Sequence, residues 1–147
     1  METKTATTIK DLIVINNDRY EGYKTAAEET KDADLKSLFT EFSQQSKTFS
    51  EELRNFLPSS EQPDNNETKN TGKLYRVWMD IKAAVTGNDR KAILSSCEYG
   101  EDHAKKHYNE AVEHSTEISP EAMQVINKQR EHILKGHDRV KAMRDSA

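Results

Sequence analysis

Apolar and aromatic residues first recur at Ile9, Leu12, Ile13, Tyr20, Tyr23 and Ala27, a spacing that places them on one helical face at about 100° per residue. This predicts a helix over about 7–31. A second stripe, Leu35, Leu38, Phe39, Phe42, Phe49, Leu53 and Phe56, predicts a helix over about 34–57, capped by Asp34, stopped by Pro58 and folded back antiparallel on the first. The stretch that follows, PSSEQPDNNETKNTG, is nearly devoid of apolar residues and reads as an exposed connection. It leads to a short amphipathic run, Leu74, Trp78, Ile81 and Val85, over about 73–86, which ends at Gly87. Asp89 then caps a helix over about 89–115 carrying Ile93, Leu94, Cys97, Ala104, Tyr108, Ala111 and Val112 on one face. Pro120 opens the last helix, about 119–144, with Ala122, Val125, Ile126, Ile133, Val140 and Met143 inward.

No strand-like alternation bounded by turn residues interrupts this pattern. The expected fold is therefore all-α: a single domain over 1–147, a four-helix bundle whose long crossover, about 58–88, carries a short extra helix. Composition narrows the picture further. Of the 147 residues, 33% are hydrophobic, below the roughly 45–50% usual for globular chains, so the core has to be built from narrow stripes. No apolar run reaches the ~18 residues of a membrane span, and the first ten residues lack the apolar block of a signal peptide, so the expected location is the cytoplasm, without membrane association. The net charge of −4 argues against a nucleic-acid footprint, and one cysteine builds neither a disulfide framework nor a thiolate metal site.

The strings DLIVINNDRYEGYKTAAEE, LFTEFSQQ, YRVWMDIKAAVTGNDRKAILSSCEYGEDHAKKHYNEA and HDRVKAMRD resemble the bacterial ferritin-like four-helix-bundle family catalogued as domain of unknown function 2383. The most distinctive pieces are Asn16-Asn17-Asp18 with Gly22-Tyr23, Trp78-Met79-Asp80 with Thr86-Gly87, and Cys97-Glu98 with Gly100-Glu101-Asp102. The resemblance runs over about 9–145 and weakens in 58–72. It implies a ferritin-like bundle with no established activity, and fold-level analogy transfers no function by itself.

A di-iron centre in such a bundle needs a Glu from each of two helices and Glu-x-x-His from each of the other two. On the first helix Asp18, Glu21, Glu28 and Glu29 all project more than roughly 100° from the stripe centre, which leaves no inward carboxylate there. The second helix offers Gln45 and Ser46 in mid-stripe, with Glu41 on the flank. Glu101 falls squarely on the apolar face of its helix, and Gln129 lies on the last stripe with His132 and His137 on opposite flanks. The inward set of Asn16, Tyr20, Tyr23, Gln45, Glu101 and Gln129 is rich in amides and hydroxyls and poor in charge. It suits a hydrogen-bonded polar layer better than two cations. Within that layer Glu101 is expected to be held by Tyr20, Tyr23 or Gln129, with a raised pKa if no cation lies near.

The alternative is iron or zinc at a degenerate core site of Glu101, Gln129, His132 and His137. A second alternative is zinc at the i, i+4 pair His103 and His107 on a helix edge, where a solvated edge is the plainer reading. Cys97 reads as a small buried apolar residue, because a nucleophilic pairing with His137 lacks an oxyanion loop. Trp78 is either a staple closing one end of the bundle or an anchor for a partner. Phosphate loops, Ser-His-Asp order and Cys-x-x-Cys pairs are absent, so no catalytic residue or cofactor is expected. The sequence thus reads as a structural or protein-interaction module, a stress-related role resting on fold analogy alone. A homodimer or another protein partner would cover an incompletely buried face.

Overall fold

The computed structural model describes residues 3–63, 72–87 and 89–147, with the side chains of 72–78 outside that description. Among the described residues the protein is all-helical: α1 (Lys4–Glu29), α2 (Ala33–Arg54), α3 (Gly72–Gly87), α4 (Arg90–Glu113) and α5 (Pro120–Asp145), with single 3-10 turns at Ser59–Glu61 and Ser115–Glu117. None of these helices is long and apolar enough to cross a membrane. Local chemistry sets most of the ends. The side chains of Thr3, Asp89 and Ser119 accept from the backbone N–H groups of Ala6, Ala92 and Ala122, and Pro120 occupies the first turn of α5. Because Thr3 is a working cap, α1 starts before the apolar stripe does. At α2 the cap expectation fails: Asp32 holds the N-cap position without a side-chain bond, while Asp34 lies in the first turn and pairs with Arg90 of α4.

The helices pack as α1 on α2, α2 on α5, α5 on α4 and α4 on α1, with α3 laid against both α4 and α1. Cross-helix contacts fix the directions. Arg19 meets Glu101 while Asn16 meets Tyr108, so α1 and α4 are antiparallel. Arg139 meets Glu41 while Gln129 meets Glu52, so α5 and α2 are antiparallel too. Ser43 meets Tyr20 while Ser50 meets Asn17, so α2 is antiparallel to α1, as α4 is. Hence α2 and α4 run the same way, and their connection must return along α2, a length of about 33 Å for its 22 residues. The crossover containing α3 makes that return.

The core divides into two apolar clusters along the axis. One gathers Ile9, Leu12, Ile13, Phe49, Leu53, Tyr108, Ile126 and Ile133. The other gathers Tyr23, Leu35, Phe39, Phe42, Ile93, Leu94, Cys97 and Val140. In α1, α2, α4 and α5 the gap between the two falls at the same level, and there the chain supplies Arg19, Ser46, Glu101 and Gly136. Gly136 has a packing reason: a Cβ there would stand 3.3 Å from Phe42 Cζ and 3.5 Å from Glu101 Oε1, so its hydrogen lets α5 close over the layer.

The burial of α1 departs from expectation in a way that decides the site. Because α2, α3 and α4 surround it, five consecutive residues, Ile15, Asn16, Asn17, Asp18 and Arg19, are all buried. Asp18 was expected to point outward and is only 3% exposed. The assumption of one inward face fails where helices pack from several sides.

Candidate functional site

At the centre of the bundle Arg19 on α1 and Glu101 on α4 form a two-pronged ion pair, Nε to Oε2 at 3.0 Å and Nη2 to Oε1 at 2.6 Å, with side chains 1% and 0% exposed. The guanidinium has five N–H donors. The three not used by Glu101 reach Ser46 Oγ at 2.7 Å and Gln45 Oε1 at 3.3 Å, the last from both Nη1 and Nη2. The rings of Tyr23 and Phe42 lie 5.6 Å from its central carbon, adding a cation–π environment. Burial works against the Arg19 charge, but Glu101 outweighs it and holds its pKa above the ordinary value.

This arrangement corrects the sequence reading of Glu101. The carboxylate is inward as predicted, but its ionic partner is Arg19, absent from the expected set. Tyr23 is a neighbour and not the principal holder; its phenol is raised well above the ordinary range by burial first and then by Glu101. Tyr20, expected in the polar core, is half-buried and stacks under Lys24 at the edge of an α1–α2 groove of about 250 Å³. Gln45 is half-buried and serves Arg19.

A second chain of hydrogen bonds crosses the neighbouring level. Asn16 Nδ2 donates to Leu12 O and to Tyr108 Oη at 2.8 Å, and Tyr108 donates to Gln129 Oε1 at 2.6 Å. Gln129 Nε2 in turn donates to Phe49 O and Glu52 Oε1. Among the described residues, Asn16 Oδ1 is a buried acceptor without a hydrogen-bond partner. Burial also raises the Tyr108 phenol. Gln129 is therefore in the core, but it is tied to α2 and α4 and not to a histidine.

The histidines scatter. His132 is exposed, its ring 6.0 Å from that of Phe49, so the Gln129-x-x-His132 pair is not formed. His137 turns away from the core: Nε2 lies 2.8 Å from Asp102 Oδ1 and Nδ1 lies 3.2 Å from Asp138 Oδ1. His107 Nδ1 pairs with Asp11 of α1 at 2.9 Å, while the His103 ring stands edge-on to Tyr99. The expected His103 and His107 pair thus faces two different partners. Cys97 is buried, and burial together with Glu101 lifts its thiol pKa, consistent with an apolar role. The Trp78 side chain lies outside the described residues.

Arg19 was findable. It stands three residues after Asn16 and four before Tyr23, the spacing of one helical face. An inward carboxylate with no cation in view was itself the signal that a buried partner was needed.

The family described as Domain of unknown function (DUF2383) has a model that matches residues 4–114, a span containing both members of the central ion pair. No curated protein matches the chain.

Proposed function

The chain belongs to the DUF2383 family, and from that premise we propose that it is a non-catalytic helical scaffold that acts through its surface, its core polar layer being architecture. One observation carries this reading: all five donors of Arg19 and both oxygens of Glu101 are engaged with each other and with Gln45 and Ser46. A guanidinium occupies the middle of the bundle, and its charge opposes entry of a divalent cation there. The ferritin-like relationship is part of the proposal, supported by the parallel run of α2 and α4 and the long connection that this forces. A reducing, cytoplasmic location is supported by the single buried thiol.

The test is the metal content of tag-free protein after incubation with ferrous iron and manganese, then desalting. The expected result is that Glu101→Gln, checked for retained helicity, changes the metal content by nothing measurable. About two metals per chain in the wild type, lost in that variant, would overturn the reading and restore a core metal centre.

Self-association is the surface role that a specific observation favours. Tyr99 on α4 and Met79 on α3 are 52% and 46% exposed, large apolar side chains on two helices that pack together. Light scattering across a wide concentration range is expected to show a rise in mass that Tyr99→Glu suppresses. A constant monomer mass removes the self-association reading.

A further inference from the structure

Outside the core, Glu98 and Asp102 on α4 and His137 on α5 bring one ligand atom each to within 4.8 Å of one another. We propose that these three side chains hold a single zinc-class divalent cation that clamps α4 to α5. This inference goes beyond the scaffold reading and is independent of the core ion pair.

The chemistry fits. Glu98 and Asp102 are four residues apart, so both carboxylates leave the same face of α4, where two like charges alone repel. A neutral imidazole and two carboxylates present a nitrogen and two hard oxygens with a summed charge of −2, which balances a dication and leaves a fourth, tetrahedral position for solvent. Bonds of about 2.0–2.2 Å at tetrahedral angles put ligand atoms roughly 3.3–3.5 Å apart, so the widest of the present separations closes by at most about 1.5 Å while the 2.8 Å His137–Asp102 contact opens slightly. The shell beyond them is also in place. His137 Nδ1 faces Asp138 at 3.2 Å, so the ring donates there while Nε2, now on Asp102 at 2.8 Å, turns to the metal. Arg144 Nη1 contacts Glu98 Oε2, so a bound cation has to displace that guanidinium, and Asp145, which Arg144 Nε and Nη2 already meet, is the partner that can retain it. The His137 side chain is 12% exposed, so its rotamer is confined by packing. His103 and His107 belong to no such group of three ligand residues among the described residues.

The experiment uses the full chain stripped with a chelator. Zinc chloride is titrated by calorimetry and by thermal unfolding, and cobalt(II) serves as a coloured probe of geometry. One zinc per chain, a rise in Tm with zinc, and a tetrahedral cobalt spectrum are expected. His137→Ala and Asp102→Asn should each weaken zinc binding at least about tenfold, while the double variant His103→Ala/His107→Ala leaves it unchanged. His137→Gln, which keeps size and polarity, guards against a folding defect, since its circular dichroism is expected to match the wild type while binding falls. Absence of zinc binding in the wild type, or affinity that survives both His137 variants, would overturn the proposal. So would loss confined to the His103/His107 variant.

Discussion

Arg19 and Glu101 are 82 residues apart in the chain and 2.6 Å apart in space, and neither side chain touches solvent to any useful extent. Desolvating two charges is expensive, and the pair offsets that cost only while both partners and the surrounding hydrogen bonds are present. Removing one partner therefore costs far more than removing both. Arg19→Met and Glu101→Gln are each expected to destabilise the protein by about 3–5 kcal/mol, whereas Arg19→Met/Glu101→Met should lie within about 1 kcal/mol of the wild type or above it. Urea unfolding of the three variants checks this. Additive single losses would mean that the two side chains act independently.

Tyr23 and Tyr108 carry phenols whose pKa values burial raises in the folded state. An acid with a higher pKa folded than unfolded leaves stability intact while it is protonated in both states. Stability is then lost as pH rises above the unfolded phenol's value of about 10 and on toward the folded one. Alkaline unfolding is thus expected to begin above about pH 10. Phenolate absorbance should show these two of the five tyrosines ionising with the loss of helix and not before it. Ionisation of all five in one early, structure-preserving step would contradict the buried network.

The thiol of Cys97 is buried, and burial followed by Glu101 pushes its pKa up. Thiolate is the reactive form, so a disulfide reagent should label Cys97 in native protein at the rate of unfolding or local opening, and within seconds in denaturant. Fast labelling of the native chain would show that the α4 face carrying Cys97 opens readily.

Gly136 faces Phe42 and Glu101 where an added Cβ would sit 3.3 Å from one and 3.5 Å from the other. Gly136→Val, which adds a branched group, is expected to cost about 1–3 kcal/mol through overpacking, despite a helix preference that favours any ordinary residue over glycine. Thermal unfolding reads this out. A gain in Tm would show that α5 moves outward without penalty.

The helix pattern was readable because the stripes on α2, α4 and α5 follow a single inward face: Phe39, Glu101 and Gln129 were all correctly placed inside. On α1 that logic breaks. Helices pack on it from several sides, so Asn17 is buried against Ser50 of α2, Arg19 against α2 and α4, and Asp18 despite its expected outward projection, while Tyr20 loses the core position that its spacing suggested. The ligand cluster on α4 and α5 was missed for a different reason. Glu98 and Asp102 entered the sequence reading only as pieces of the family resemblance, and only the docking of α5 shows that His137 turns toward Asp102. Spacing along one helix carries no information about which residue of another stands opposite.

The central ion pair also bears on how the two hairpins find each other. Apolar burial is non-directional and by itself sets no register, but a shift of α4 by one helical turn moves Glu101 about 5.4 Å along the axis. That distance takes the carboxylate out of reach and leaves a buried guanidinium without its counter-charge, a loss of about 3–5 kcal/mol by the usual cost of breaking such a pair. Arg19 and Glu101 thus act as a key and its lock for assembly: they add little to net stability, yet they restrict the collapsed chain to one register.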